Sequence, residues 1–263
     1  MYAFTYERPT TRADALRLVQ AGGQPLAGGQ TLLGSMKLRL AAPEQLVDLG
    51  AIPDLAGIRQ ESGQVVIGAM TRHADVAASA EIAAAIPALA ALADGIGDRQ
   101  VRAMGTIGGS VANNDPAADY PAALLALGAT VHTTSRQVMA DDFFQGLFAT
   151  ALEPGELITA IGFPVPMRAA YVKFPQPASL FALIGVFVAQ FDHEVRVAVT
   201  GAGNGVFRHQ AMEAALKDHF SPDAVAGVPT NESEMSSDLH GSGAYRAHLV
   251  GVMTQRAVAR ALA

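Results

Sequence analysis

The sequence predicts an α+β protein in two parts: a larger mixed part, then a small one built on a three-stranded antiparallel sheet with helices. Three observations carry this reading. Short helical and strand patterns alternate up to Phe163. Two prolines in Pro164-Val165-Pro166 then flank a shift in composition, as at a domain boundary. Beyond them three apolar runs of strand length precede two helical patterns. The expected division is 1–165, in lobes of about 1–60 and 61–165, and 166–263.

Thr11-Arg12-Ala13-Asp14 opens a helix in the manner of a capping box, Ala15, Leu16 and Val19 follow, and Gly22-Gly23 stops it. Pro25-Leu26-Ala27 runs into Gly28-Gly29-Gln30-Thr31 and a turn of helix, and Leu46-Val47-Asp48-Leu49 reads as a strand, giving a small βαβ-type lobe. Ile58-Arg59-Gln60 and Val65-Val66-Ile67 are strands joined at Ser62-Gly63. Thr71 is placed to cap a helix through Val76–Ser79, and a second helix, Ile82–Ala93, carries Pro87 and ends near Gly95 and Gly97. Asp98–Asp119 reads as a loop dense in turn residues, of the kind that usually serves function. Asp119 caps an apolar helix, Tyr120–Leu127, closed by Gly128, and strands follow at Ala129–Thr133 and Leu157–Phe163. In the second part, strands are expected at Tyr171–Phe174, Leu183–Phe191 and Val195–Gly201, with Asp192-His193-Glu194 as a hairpin tip. Helices His209–His219 and Ser242–Leu262 complete the chain, and the last aligns Tyr245, Leu249, Val252 and Met253 on one apolar face. Ser221–Ser237 between them is polar and reads as a surface loop.

Composition excludes several functions. Half of the 263 residues are hydrophobic and 16% are charged, which suits a well-buried globular chain. A net charge of -6 argues against non-specific nucleic-acid binding. The absence of cysteine removes disulfides, thiolate metal sites and any iron–sulfur cluster ligated by this chain. The start, Met1 to Pro9, has no signal-peptide pattern, and the richest apolar stretch, Leu180–Phe191, is well short of the roughly 20 residues that span a bilayer. A cytoplasmic protein is expected, with a peripheral place at the inner membrane left open. The seven histidines show no metal-ligand spacing, and no Ser/His/Asp set stands out, so neither a metal site nor a catalytic residue is assigned.

Two glycine loops carry the chemistry. Ala27-Gly28-Gly29-Gln30-Thr31-Leu32-Leu33 places paired glycines directly after a strand, where backbone N–H groups can approach and attract phosphate. Taken alone it reads first as a plain strand-to-helix turn. Gly105-Thr106-Ile107-Gly108-Gly109-Ser110 repeats the pattern, and two such loops suggest one extended, doubly charged ligand held between lobes. Neither is a G-x-G-x-x-G fingerprint or a P-loop. Gly201-Ala202-Gly203-Asn204-Gly205 imitates a dinucleotide turn but lacks its spacing and reads as a strand end. Asp119 is either a helix cap or a carboxylate facing hydroxyls or a ring N–H, because it would repel phosphate. Lys173 is either a solvated lysine or a cation facing the ligand.

At these residues the sequence resembles the FAD-binding medium subunits of carbon-monoxide-dehydrogenase-type molybdenum hydroxylases, and is similar to the flavin domain of xanthine dehydrogenase. Beyond the two loops, the likeness includes Met36-Lys37-Leu38-Arg39, Gly68-Ala69-Met70-Thr71-Arg72-His73, Tyr171–Ser179 and Tyr245–Leu249. It implies a two-lobed FAD-binding domain of the PCMH or vanillyl-alcohol-oxidase type, followed by the smaller α+β domain. It also implies cofactor contacts from Leu26, Ala27, Gly28, Gly29, Gln30, Thr31, Leu32 and Leu33, and from Thr106, Ile107, Gly108, Gly109 and Ser110. Asp119 and Lys173 match further contact positions, and Ile96 and Leu157 match positions beside the flavin ring. Gln30-Thr31 stands where the family more often has His-Ser, so the FAD is expected to be non-covalent, with altered hydrogen bonding at the phosphates. The cysteine-bearing insert of one branch is absent.

The resemblance further implies an electron relay in which no substrate chemistry occurs on this chain. A large molybdopterin subunit would oxidise the substrate, and a small subunit with two [2Fe–2S] clusters would pass electrons to FAD and onward. The assembly would be a heterotrimer, doubled in the family pattern of a dimer of heterotrimers. Carbon monoxide, aldehydes and N-heterocycles remain open as substrates, and quinone, cytochrome, oxygen and NAD as acceptors. A stand-alone nucleotide-binding module and a self-contained flavin oxidase are the rivals.

Overall fold

The computed structural model describes residues 1–263. β1 (Thr5–Glu7), α1 (Arg12–Gln20), β2 (Gln24–Leu26), α2 (Leu32–Lys37) and β3 (Gln45–Asp48) form the first lobe, a parallel sheet in the order β1-β3-β2. The Thr11 hydroxyl caps α1 by accepting from the Asp14 amide at 3.1 Å, and Ala15 and Val19 turn inward to pack on Val47 and Leu49. β2 ends where its chain leaves β3, so the first glycine loop lies at the carboxyl edge of a parallel sheet, where ligands commonly bind.

β4 (Ile58–Glu61) and β5 (Gln64–Gly68) are joined at Ser62 and Gly63, both at positive φ. They belong to the second sheet. α3 (His73–Ala78) follows, and it lacks the expected threonine cap. Thr71 instead bonds both backbone groups of Gly57, accepting from its N–H at 3.0 Å and donating to its carbonyl at 3.1 Å. The single helix expected over Ile82–Ala93 is broken into α4 (Ala80–Ala85) and α5 (Pro87–Asp94), because Pro87 has no amide to continue α4 and starts α5 instead.

The expected loop Asp98–Asp119 is largely helical, comprising α6 (Arg99–Met104) and α7 (Ile107–Asn113). Asp98 caps α6 by accepting from the Val101 amide at 2.8 Å, and Thr106 caps α7 by accepting from Gly109 at 3.2 Å. Each helix is under two turns, too short to display a period, and the glycines inside α7 are there for close packing. A Cβ at Gly108 would lie 2.7 Å from the Ala69 carbonyl oxygen.

α8 (Tyr120–Leu127) is buried on every side and ends at Gly128 in the left-handed conformation. A helix apolar all round belongs in a core, and this one lies between the second sheet and the C-terminal sheet. Asp119 does not cap it, since its side chain makes no bond to the helix amides. β6 (Thr130–Thr133), β7 (Gln137–Met139), α9 (Ala140–Phe143), β8 (Phe144–Gly146), β9 (Ala149–Thr150) and β10 (Ile158–Pro164) follow. The second sheet has the order β4-β5-β10-β6-β7, antiparallel throughout, while β8 and β9 form a separate small hairpin.

The last part contains β11 (Arg168–Pro175), β12 (Ala182–Gln190) and β13 (Val195–Thr200), extended by a short β14 (Phe207–Arg208) into a four-stranded antiparallel sheet. α10 (Gln210–Asp218) and α11 (Gly243–Leu262) cover it. β12 is an unbroken apolar run because both of its faces are buried. Phe187 and Ala189 pack with α8, whereas Ile184, Val186 and Val188 pack with α10 and α11. On α11 the expected inward Tyr245 is exposed, and Arg246 takes the inner position. Its guanidinium donates to the carbonyls of Leu183 and Gly201, at 3.1 and 2.7 Å, and pairs with both Asp238 oxygens. The Gly201–Gly205 run is a turn at the end of β13, not the start of a helix. No helix is long and apolar enough to cross a membrane.

Candidate cofactor-binding site

A cavity of about 670 Å³ opens between the first lobe, α6–α7, the edge of the second sheet and the Ser179–Phe181 segment. That is well within the size of small-molecule sites. Both glycine loops face it. A Cβ at Gly28 would collide with the Met104 carbonyl oxygen and stand 2.6 Å from the Gly105 Cα, while one at Gly109 would stand 3.2 Å from the Ala27 methyl. Gly29 adopts φ +72°, open at little cost only to glycine.

The two loops differ in what they offer. The successive amides of Gly28, Gly29, Gln30, Thr31 and Leu32 donate to nothing in the protein, and Thr31 places no side-chain cap on α2. Consecutive free N–H groups around a left-handed glycine form an anion-binding cradle. In the second loop the amides are already used: Ile107 donates to the Thr71 carbonyl, Gly108 to that of Ala69, and Gly109 to the Thr106 hydroxyl. The loops therefore do not repeat one chemistry. The first presents donors, and the second supplies close approach and the Ser110 hydroxyl, which makes no hydrogen bond within the protein. The Gln30 side chain folds back, donating to the Gly28 carbonyl at 3.1 Å.

Of the residues singled out in the sequence, Leu26 to Leu32, Thr106, Gly108, Gly109, Ser110, Ile96, Asp119 and Leu157 line the cavity. Leu33, Ile107 and Lys173 do not. Leu33 packs beneath Gly29, and Ile107 is fully buried in the main core. Lys173 lies behind the wall as neither a solvated lysine nor a free cation. Its ammonium pairs with Asp119 at 3.0 Å and donates to the carbonyls of Gly95 at 2.7 Å and Leu180 at 3.0 Å.

Asp119 is buried at the cavity wall and held by Tyr171, whose hydroxyl donates at 2.6 Å, as well as by Lys173. Tyr171 and Lys173 are two apart on β11 and so share one face. Burial pushes the Asp119 carboxyl up, opposed by the Lys173 charge and the Tyr171 bond. The segment before Asp119 is fixed by β13: the Thr200 hydroxyl lies 2.9 Å from the Pro116 carbonyl and 2.7 Å from that of Ala118, and the Gly201 amide also donates to Pro116.

The sequence reading missed several lining residues. Ser179, Leu180 and Phe181 arrive from the C-terminal sheet, and Thr150 and Leu152 from the β8–β9 hairpin. No local pattern marks them. His73 also lines the cavity, with its Nδ1 buried and unpartnered and its ring 5.3 Å from that of Tyr120. Burial, with the Arg102 charge, lowers its pKa to about 4, so it is neutral at pH 7.

Comparison with known proteins agrees with this geometry. Residues 2–166 match the family model described as the FAD binding domain in molybdopterin dehydrogenase. The chain is 40% identical to the carbon monoxide dehydrogenase medium chain of Afipia carboxidovorans, over 99% of this chain and 97% of that one. It is 34% identical to the glyceraldehyde dehydrogenase medium chain of Sulfolobus acidocaldarius, over 97% and 96%. A crystal structure of the Cu,Mo-CO dehydrogenase in its cyanide-inactivated form superposes with a TM-score of 0.89 at 38% identity, covering 99% of this chain and 98% of that chain. Free donors in the first loop, backbone contact with the second and near full-length likeness converge: the chain belongs to the family of FAD-binding domains of molybdopterin dehydrogenases.

Proposed function

We propose that this chain is the FAD-binding, electron-transfer subunit of a heterotrimeric molybdenum hydroxylase. The observation that carries the reading is the row of unpartnered amides from Gly28 to Leu32, facing a cavity closed by the second glycine loop. These residues fit the pyrophosphate of FAD, because a dianion meets N–H donors and no carboxylate on that loop. Ser110 and Asp119 would take hydroxyls or a ring N–H, and Ile96 and Leu157 would flank the flavin ring. When bound, FAD supplies one- and two-electron chemistry that no side chain here can supply. The protein binds it, orients it and excludes water. Without a histidine in the first loop, the attachment is non-covalent.

On this reading the FAD-binding domain spans 1–165 and the smaller domain 166–263. Electrons enter from [2Fe–2S] clusters of a small subunit and leave to an external acceptor, while substrate is oxidised at molybdopterin in a large subunit, with the trimer doubled. The two medium-chain relatives named above are named for different substrates, which supports placing substrate choice in another chain. The complex works in the cytoplasm. The test is the visible flavin absorbance of the purified chain: the reading requires one FAD per chain released by denaturation, and a well-folded chain that takes up none would sink it. Co-purification with an iron–sulfur protein and a molybdenum protein tests the assembly.

A further inference from the structure

We infer that Lys173 is a positioning residue that clamps together the two walls at one end of the cavity. The first wall is the Gly95–Gly97 turn after α5, which carries Ile96. The second is the strap Gln176–Phe181 between β11 and β12, whose Leu180 and Phe181 line the cavity while remaining partly exposed. The walls belong to different parts of the chain. One ammonium joins them, donating to the Gly95 carbonyl at 2.7 Å and the Leu180 carbonyl at 3.0 Å.

The surroundings give the clamp a direction. On the turn, the next two carbonyls are also held by a cation, since Arg102 donates to Ile96 at 3.0 Å and Gly97 at 2.9 Å. That wall is fixed even without Lys173. The strap is a tight local loop, with the Gln176 amide donating to Phe181 and the Gln176 side chain accepting from Ala178 and Ser179. Leu180 sits at φ +62°, a conformation a leucine keeps only when its surroundings hold it. Outside its own loop, the Lys173 ammonium is the hydrogen-bond partner of that residue's carbonyl. Asp119, itself buried, supplies the counter-charge for this half-buried lysine. Lys173 therefore holds the strap against the fixed turn, and through Leu180 and Phe181 it governs how tightly that end of the cavity closes on its occupant. That the occupant is FAD rests on the function proposed above.

The test compares the full chain with K173M, D119N and the double variant D119N/K173M, which removes the lone buried carboxylate charge that K173M leaves behind. Chymotrypsin reads the strap at Leu180 and Phe181 with or without FAD. Cleavage of the double variant should be about tenfold faster than wild type, the scale of losing charge-assisted bonds to the strap, with D119N, which keeps the ammonium but removes its counter-charge, falling between the two. In the loaded proteins, FAD release should be several-fold faster in the double variant than in D119N, a comparison that cancels any direct contact of Asp119 with the cofactor, and the resolved shoulders of the visible flavin band should flatten. A purely structural lysine would lower the melting temperature and leave that band unchanged. Wild-type rates of cleavage in the double variant would overturn the inference, as would FAD release no faster in it than in D119N. A wild-type chain that takes up no FAD would instead strike the proposed function, leaving the cleavage comparison to decide the clamp.

Discussion

Gly28 and Gly105 touch backbone to backbone: a Cβ on the first would stand 2.6 Å from the Cα of the second. The two glycine loops, far apart in sequence, are thus one structural unit, and the free amides of the first depend on the position of the second.

Gly28→Ala should therefore act on both loops. The added methyl must displace the Met104–Gly105 backbone, at a cost of about 1–3 kcal/mol in stability. The larger effect should be on the cofactor, with FAD affinity falling at least about tenfold as the amide row is re-aimed. Fluorescence titration with FAD, alongside urea unfolding, checks both. Unchanged affinity would show that the row is not the phosphate site.

Thr200→Val removes a hydroxyl that never reaches the cavity. It leaves the Pro116 and Ala118 carbonyls without that partner, costing about 1–3 kcal/mol, and frees the segment leading to Asp119. FAD binding should weaken although no lining residue has changed. Equal affinities in the two proteins would show that Asp119 does not depend on this tether.

His73 makes stability depend on acidity. In the unfolded chain it takes a proton near 6.5, and in the folded one only at about 4. Between those values the unfolded state binds more protons, so stability falls as pH falls through that window and is fully kept above it. The gap is worth roughly 3 kcal/mol. His73→Gln should flatten the slope of unfolding free energy between these pH values; a slope unchanged by the substitution would assign it to other groups.

Arg196 on β13 ties the C-terminal sheet to Asp141 on α9, and it is buried whereas Asp141 is partly exposed. Arg196→Met should cost about 1–3 kcal/mol, because the guanidinium's hydrogen bond to Asp141 and its packing beside Gly128 are lost, although the exposed carboxylate left behind is rehydrated. Asp141→Asn should cost less, because the amide keeps an oxygen acceptor for Arg196 and Glu194 stays beside the guanidinium. Chemical unfolding of both variants gives the comparison, and a larger loss in Asp141→Asn would reverse the assignment.

Much of this protein was legible in residue order. The α+β class, the β12 run, the Gly28–Gly29 turn and the helix cap at Thr11 all rest on local chemistry, which acts over a few residues and leaves a local mark. Errors arose where local signals were too short or had a competing partner. The helices α6 and α7 are under two turns, Pro87 divides one apolar stretch into two helices, and Thr71 and Asp119 are cap-type residues drawn to distant groups.

What the sequence determined by itself was the set of parts: the glycine pairs, the apolar strands, the absence of cysteine, and hence a fold class and a resemblance. Only the tertiary structure decided how the two loops divide their labour, since whether an amide is free depends on what packs behind it. It alone turned Lys173 from a surface or ligand-facing cation into a half-buried tie between Asp119, Gly95 and Leu180. A lysine carries the same charge wherever it stands; its partners come from segments that meet only when the chain has folded.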